Sequence, residues 1–331
     1  MNHDTDGLQM MAREISAQPK ALSAALVPLA EAAAILALDP KRPVWIAGAG
    51  QSFAAVRTVA GLFREHGFDV RALSAAELLW QSPPEPGDTA VLLSLSGNTP
   101  RTVEAMVRAR SRRARTIAVT VDPEAALARG AEQTLLLPVP LLHRGTPPTL
   151  DHTMALLALA LLGGTGRDLC RRAIDRLDAA FAPLATQASA VVEAISTGSR
   201  FHFLGNGPAL GSASYGALTM QLAGLDASAG EAEEITHGAA RAMRPGDHAI
   251  LLGDGGAADQ RTAILADGLA RLGLTVSRAG FAAPDRLSAA FEAALWCQLL
   301  ALAIVRRRGL ALTTRADIAE VERDWRGWLS P

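Results

Sequence analysis

The sequence predicts an α/β protein built from two tandem, doubly wound parallel sheets. Its 331 residues exceed the usual size of a single core. Short apolar stretches alternate with helical patterns, which is typical of a parallel sheet covered by helices. Two segments of the first half also recur in the second half. We therefore expect a helical segment over residues 1–40, a first domain over 41–165 and a second domain over 166–331.

The elements of the first half can be placed one after another. Apolar side chains at helical spacing predict one or two helices over residues 6–38. A buried strand follows at 44–48, and a glycine turn leads from it into a helix over 52–66. Further short strands are expected at 69–73, 90–94, 116–121 and 133–137. A long helical stretch over 151–197 then connects the two halves.

The repeat identifies where the two halves differ. Residues 46–50 correspond to 203–207 at an offset of 157, and residues 86–93 correspond to 245–252 at an offset of 159. After the second matched pair, the first half has Ser-Leu-Ser-Gly-Asn-Thr at 94–99. The second half has Gly-Asp-Gly-Gly-Ala-Ala at 253–258. Ligands of open α/β sheets bind at the carboxyl ends of strands, so we expect one anion site per chain, in the first half.

The hydroxyl-rich turn at 94–99 suits a phosphate. Thr99 fits the N-cap and Pro100 the first position of a helix, whose free N–H groups and positive end would face the anion. The alternative is that these hydroxyls only cap the helix. The predicted contacts with phosphate or with sugar come from this turn and from the glycine turn after the first strand: Ser94, Ser96, Asn98, Thr99, Gln51 and Ser52 by side chain, Gly50 and Gly97 by backbone.

Composition narrows the possible functions. A net charge of -1 and a pI near 6.7 argue against nucleic acid and membrane partners. The polar N-terminus lacks the pattern of a signal peptide, so we expect a cytoplasmic protein. The two cysteines have no metal-ligand spacing, and Lys20 and Lys41 are the only lysines, which argues against a metal site and a Schiff base. A dinucleotide fingerprint fails at Phe53, where the third glycine would stand, so no cofactor is expected.

The motifs together resemble a known family. The S-x-S-G-x-T pattern at 94–99 resembles the phosphosugar signature of SIS (sugar isomerase) domains, which are flavodoxin-like. Residues 11–19, 48–55, 205–208 and 234–238 resemble other segments of double SIS proteins. Among these are the isomerase half of glucosamine-6-phosphate synthase, fructosamine-6-phosphate deglycases and tagatose-6-phosphate isomerase-like proteins. The resemblance implies a sugar phosphate ligand and a homodimer with sites near the subunit interface.

The resemblance also implies a chemistry, although one part of it is missing. His237 matches the histidine that opens the sugar ring in relatives. The segment that carries the catalytic glutamate in relatives ends here at Leu222, and no lysine occurs near the C-terminus. Glu233 or Glu234, or else Glu231, is therefore expected to act as the base. The expected enzyme is a cofactor-free isomerase, or a deaminating or deglycating isomerase, and its substrate is a sugar or amino-sugar 6-phosphate. The alternative is a non-catalytic phosphosugar-binding or regulatory protein.

Overall fold

The structure, a computed structural model, describes residues 3–139, 147–196, 198–254, 256–279, 283–310 and 312. The elements in chain order are α1 (His3–Ile35), β1 (Val44–Gly48), α2 (Gln51–Glu65), β2 (Val70–Ser74), α3 (Ala75–Trp80), β3 (Thr89–Leu93), α4 (Pro100–Ser111), β4 (Arg115–Thr120), α5 (Ala126–Gly130), β5 (Gln133–Leu136), α6 (Leu150–Leu162), α7 (Arg167–Ala194), β6 (Phe201–Gly205), α8 (Pro208–Leu222), β7 (Ala227–Glu231), β8 (His248–Leu252), α9 (Asp259–Arg271), β9 (Thr275–Ala279) and α10 (Arg286–Arg308). Two short 3₁₀ helices, Glu234–His237 and Ala239–Ala242, lie between β7 and β8.

Both halves contain a parallel sheet of the same winding. The first sheet has the strand order β2-β1-β3-β4-β5 and the second has β7-β6-β8-β9. In each sheet the chain returns to the first strand and continues on its other side, which is the doubly wound arrangement. The predicted α/β fold class is thus confirmed. The register also confirms the repeat, because Gly48 pairs with Leu93 and Gly205 pairs with Leu252 at the end of the matched strands.

The strands that were predicted from apolar runs lie within one residue of the observed strands. The N-terminal helical segment is a single helix, α1, which contains Pro19 and Pro28. The predicted helical stretch between the halves consists of α6 and α7, separated by a short turn. The predicted domain boundary after residue 165 falls in that turn and stays a prediction.

The helices between the two sheets form a core that both halves share. One buried cluster includes the inward side chains of both sheets, such as Ile46 and Phe203, together with side chains of α1, α2, α6, α7, α8 and α10. The opposite face of the first sheet packs on α3 and α4, and that of the second packs on α9. The alternation of side chains along each strand therefore fills an inner and an outer layer.

The two halves meet most closely where α2 packs against α8. A Cβ atom added to Gly211 of α8 would lie only 2.4 Å from the backbone nitrogen of Thr58 and 2.7 Å from the carbonyl oxygen of Ala54. Only glycine permits this approach of two helix backbones. The carboxyl-end turns of both halves lead into these two helices, so this contact fixes their relative position.

Helix α10 is the longest apolar helix of the shared core. By length and composition alone it could cross a membrane, and it is the one helix of the described residues for which this holds. In the structure 94% of its most apolar stretch of 18 residues is buried inside the protein. It packs against α7, α8, α1 and α6. A helix that is hydrophobic all round and enclosed by other helices is typical of a protein core.

A buried polar network crosses this helical layer. Gln298 of α10 donates from Nε2 to the hydroxyl oxygen of Tyr215 on α8 at 2.9 Å and accepts from Gln18 of α1. Gln18 in turn accepts from the hydroxyl of Thr153 on α6 at 2.8 Å. Gln18, Gln298 and Thr153 are 0% exposed. Each partner satisfies the next, so the network specifies how four helices from both halves pack.

Candidate functional site

The candidate site lies in the crevice at the carboxyl ends of β1 and β3. These strands are neighbours, and their last residues, Gly48 and Leu93, are partners in the register. The crossovers from β1 and from β3 leave on opposite sides of this pair, so the crevice is the topological switch point of the first sheet. The turn after β1 and the turn after β3 therefore stand side by side.

The turn after β3 holds its hydroxyls in a defined arrangement. The side-chain oxygens of Ser94 and Thr99 are 2.9 Å apart and share a hydrogen bond. Thr99 is the N-cap residue of α4 and Pro100 occupies its first position, as predicted, but the Thr99 side chain makes no capping hydrogen bond. The hydroxyl of Thr99 thus interacts across the turn, not with the helix, which argues against the interpretation that these hydroxyls only cap α4.

Ser96 and the backbone next to it provide unused donors. The Ser96 hydroxyl accepts a hydrogen bond from the N–H of Asn98 at 3.2 Å, which leaves its own proton available. The N–H groups of Ser96 and Thr99 have no hydrogen-bond partner within the described residues. Ser96 and Thr99 are partly exposed, whereas Ser94 is only 1% exposed. The buried hydroxyl of Ser94 therefore holds the Thr99 hydroxyl in place from the protein interior.

Asn98 and Gly97 brace the turn against the segment after β4. The Asn98 side chain donates to the carbonyl of Ser96 at 3.1 Å and accepts from the N–H of Ala126 at 3.0 Å. Gly97 has a φ of 63°, and a Cβ atom there would lie 2.3 Å from the Cβ of Ala125. Both residues shape the turn through contacts within the protein.

The turn after β1 provides Gly50, Gln51 and Ser52. Gly50 is exposed and is the N-cap residue of α2, while Gln51 and Ser52 are 8% and 9% exposed. The Gln51 amide nitrogen donates to the hydroxyl of Thr219 on α8 at 3.2 Å. The Gln51 oxygen Oε1 is buried and has no partner within the described residues. Gln51 of the first half therefore contacts a buried residue of the second half, Thr219.

Thr219 is a contact that sequence reasoning missed. It stands in the Gly216–Leu222 segment, where the related pattern G-A-L-K-L-K-E has a lysine. This departure from the pattern was visible in the sequence. The contact of Thr219 with Gln51 could not be predicted from the sequence, because it depends on how α8 packs against α2.

One cation lies in the first turn of α4. Arg101 contacts the carboxylate of Glu104 and stacks over the ring of Trp80 at 4.6 Å from its centroid. Trp80 is 64% exposed. The Glu104 carboxylate balances the charge of this guanidinium, so the N-terminus of α4 favours an anion mainly through the helix dipole.

The predicted catalytic residues lie at the second sheet. His237, Glu233 and Glu234 belong to the segment that follows β7, and all three are exposed. Glu233 forms an exposed ion pair with Arg261, with 3.2 Å between Oε1 and Nε. No hydrogen bond or ion pair in the described part of the chain joins these residues to the turn at 94–99. Leu222, which stands where relatives have a glutamate, is 56% exposed at the end of α8.

In the corresponding turn of the second half, side chains of the protein itself form the hydrogen bonds and ion pairs. Asp254 accepts a hydrogen bond from the N–H of Gly256 at 2.9 Å and pairs with the guanidinium of Arg286. Arg286 also pairs with Glu65 at the end of α2, with 2.5 Å between Nε and Oε1. Asn206, in the glycine turn after β6, donates to Thr262 at 3.0 Å. This crevice therefore presents a carboxylate and an ion pair between the halves.

No group of three or more histidine, cysteine, aspartate and glutamate side chains among the described residues has the arrangement of a metal site. The two cysteines, Cys170 and Cys297, are buried, and burial raises the pKa of the Cys170 thiol to about 12. These thiols are therefore poor nucleophiles at neutral pH.

The chain is similar to several known proteins. The SIS domain family matches residues 37–162. The C-terminal domain of glucosamine-fructose-6-phosphate aminotransferase from Francisella tularensis superposes with a TM-score of 0.79 at 17% identity, over 92% of this chain and 98% of that one. Tagatose-6-phosphate ketose/aldose isomerase from Escherichia coli gives 0.78 at 19% identity, over 92% and 94%.

Glucosamine-6-phosphate deaminase from Thermotoga maritima gives a TM-score of 0.75 at 21% identity, over 92% of this chain and 97% of that one. No protein of curated function matches the sequence significantly. These structural likenesses establish the fold over 92% of the chain, and the family match covers both turns of the candidate crevice. Residues 37–162 therefore match the SIS domain family, and 92% of the chain shares the fold of these three solved structures.

Proposed function

We propose that this protein binds a sugar 6-phosphate in the crevice between β1 and β3 and converts it, as a cofactor-free isomerase or a deaminating or deglycating isomerase. The observation that carries the proposal is the turn at 94–99. It presents hydroxyls and unused N–H donors at the start of a helix, at the switch point of a parallel sheet. The three solved structures named above bear names that include hexose 6-phosphates.

The phosphate would be held without a lysine. The N–H groups of Ser96 and Thr99 and the hydroxyl of Ser96 are the donors, and the positive end of α4 supplies the charge complement. The hydroxyl of Thr99, supported by Ser94, would complete the cradle. Asn98 would stabilise the turn and would not bind phosphate, because both ends of its side-chain amide form hydrogen bonds within the protein.

The proposed catalysis needs His237 to open the sugar ring and Glu233 or Glu234 to move the proton between neighbouring carbons. These exposed residues lie at the second sheet, and within the described parts of one chain no hydrogen bond or ion pair joins them to the turn at 94–99. We therefore propose a homodimer in which His237 and the carboxylates of one copy reach the crevice of the other. An exposed imidazole and exposed carboxylates leave that surface open for such a contact.

Leu222 favours a second candidate function, a phosphosugar-binding protein without catalytic activity. A leucine side chain cannot accept a proton, and this one is 56% exposed in the place where relatives carry a glutamate. The binding turn would then report the presence of a sugar phosphate without changing it.

Calorimetric titration and product analysis separate the two candidates. The probes are inorganic phosphate, glucose 6-phosphate, fructose 6-phosphate and glucosamine 6-phosphate. Binding should be about 10-fold weaker or more in Ser96→Ala, because the turn loses a charge-assisted hydrogen bond. Ser189→Ala is the matched control, since Ser189 is an exposed serine on α7. Equal affinities in the wild type and Ser96→Ala would contradict the proposed site.

Product formation, followed by nuclear magnetic resonance, tests the chemistry. Turnover in the wild type that is lost in His237→Ala while binding persists supports the isomerase. Binding without product in the wild type supports the second function. In that case Leu222→Glu, a change at an exposed position, should leave stability intact and gain measurable turnover.

A further inference from the structure

Gln51 carries a buried acceptor with no partner. The side chain is 8% exposed, and its oxygen Oε1 has no hydrogen-bond partner among the described residues. An unpaired carbonyl oxygen that is withdrawn from water is costly to the folded protein. Gln51 is the first residue of α2, directly after the turn at the carboxyl end of β1 that borders the crevice, so a ligand bound in the crevice is a candidate for the missing donor.

Thr219 fixes which end of the Gln51 amide faces α8. The Thr219 hydroxyl donates its only proton to the carbonyl of Tyr215 at 2.8 Å, so it can only accept from Gln51. The amide nitrogen of Gln51 must therefore face Thr219, as the distance of 3.2 Å also indicates. The oxygen is left on the opposite side. Thr219 is 0% exposed, so water does not compete for this contact.

This orientation excludes Gln51 as a phosphate ligand through its oxygen. A phosphate dianion only accepts hydrogen bonds, and Oε1 also only accepts them. The group that satisfies Oε1 must be a donor, which in a phosphosugar is a hydroxyl or an ammonium group. The second N–H of the Gln51 amide nitrogen remains a donor that could meet phosphate, whereas Oε1 can only meet a donor of the sugar portion.

Resting on the function proposed above, we infer that Gln51 selects sugar phosphates carrying a hydroxyl or ammonium donor opposite Oε1, and that Thr219 of the second half is the positioning residue for this selection. Sites that hydrogen-bond a ligand group discriminate strongly against analogues without it, because their own polar atoms are left unpaired. The specificity of the first-half crevice is therefore set partly by α8.

The test is a calorimetric titration of the full chain with glucose 6-phosphate, glucosamine 6-phosphate and the analogues of glucose 6-phosphate that lack one hydroxyl each. The wild type should bind one analogue about 10–100-fold more weakly than the parent sugar phosphate. Gln51→Leu should bind the parent sugar phosphate weakly and should lose nothing further with that analogue. Tighter binding of glucosamine 6-phosphate than of glucose 6-phosphate identifies an ammonium donor, and the reverse order identifies a hydroxyl.

Thr219→Val tests the positioning role. It removes the hydroxyl and keeps the shape, so the Gln51 amide can rotate and the discrimination between the parent sugar phosphate and the analogue should shrink, while the fold is kept. Thr262→Val is the matched control: Thr262 is also buried, bonds the carbonyl four residues earlier at 3.1 Å and accepts from an amide nitrogen, that of Asn206, but it lies on α9 and does not contact Gln51. Its discrimination should equal that of the wild type.

The outcomes separate this inference from the proposed function. Ser96-dependent binding with equal losses for every analogue in the wild type and in Gln51→Leu overturns the role of Gln51 alone. Unchanged discrimination in Thr219→Val overturns the role of Thr219. If the wild type binds no hexose 6-phosphate, both the proposed function and this inference fall.

Discussion

The ring of His152 provides a quantitative test of the helical core. His152 lies in the first turn of α6, 2% exposed, and stacks on Tyr215 with 3.6 Å between ring centroids and 10° between planes. Burial lowers the pKa of His152 from its usual 6.5 to about 3. The neighbouring carboxyl of Asp151 has its pKa raised to about 6 by burial and by the charge of Glu14.

The sign of the effect follows from which state binds the proton. Between pH 6.5 and 3 the unfolded chain protonates His152 and the folded chain does not, so acid favours unfolding. The contribution of His152 is complete above pH 6.5 and is lost as the pH falls. One pKa unit corresponds to about 1.4 kcal/mol, so about 3 kcal/mol is lost by pH 4.5. Asp151 acts in the opposite direction, because its raised pKa favours the folded state in acid.

His152→Phe isolates the histidine, since phenylalanine keeps a ring against Tyr215 and cannot titrate. The measurement is urea unfolding followed by circular dichroism at pH 7.5 and pH 4.5. The wild type should lose about 3 kcal/mol more than the variant between these two pH values. Asp151 and Glu14 are present in both proteins, so their contributions cancel.

His66→Gln, a change of an exposed histidine, should behave as the wild type does. His152→Gln provides a second non-titrating side chain, in case phenylalanine does not fit. Equal losses in the wild type and in both His152 variants would refute the assignment of a buried, neutral imidazole.

Two further predictions test the two turns. Gly97→Ala should abolish the binding of hexose 6-phosphates in calorimetry. The φ of Gly97 is 63° and a Cβ atom there would lie 2.3 Å from Ala125, so there is no room for a methyl group. The control Gly166→Ala, where a Cβ atom would have no other atom within 4 Å, should bind normally. Arg286→Leu should lower the free energy of unfolding, measured in urea, by about 1–3 kcal/mol, because it leaves Asp254 unpaired with its side chain only 11% exposed. Arg261→Leu breaks an exposed ion pair and should lower the free energy of unfolding by less than about 1 kcal/mol.

Local patterns were sufficient to predict the strands of the first sheet and the start of α4. Apolar runs of five or six residues placed the strands, because buried parallel strands are apolar on both faces. The helix start at Thr99 and Pro100 followed from the fixed φ of proline and from N-cap preferences. The hydrogen bond between Ser94 and Thr99 was not predictable, because a threonine at an N-cap ordinarily bonds its own helix.

Contacts between the halves lay beyond sequence reasoning. The side chains of Gln51 and Thr219 meet across 168 positions of the chain, and those of Glu65 and Arg286 across 221. Neither pair has a local signature, since each depends on how α2, α8 and α10 pack. The prediction that Gln51 contacts phosphate rested on its place in the turn alone. Only the hydrogen bonds of Thr219 define the direction of the amide.

The two crevices show how one repeated turn can serve two purposes. In the first half the turn leaves the N–H groups of Ser96 and Thr99 and the proton of the Ser96 hydroxyl without a partner among the described residues. In the second half the aligned turn holds Asp254, which Arg286 engages together with Glu65 of the first half. An anion there would meet a carboxylate and would have to compete for the guanidinium, at a cost to the contact between the halves. The divergence after the matched strands thus favours one anion site per chain, and the second copy of the turn joins the two sheets into one body.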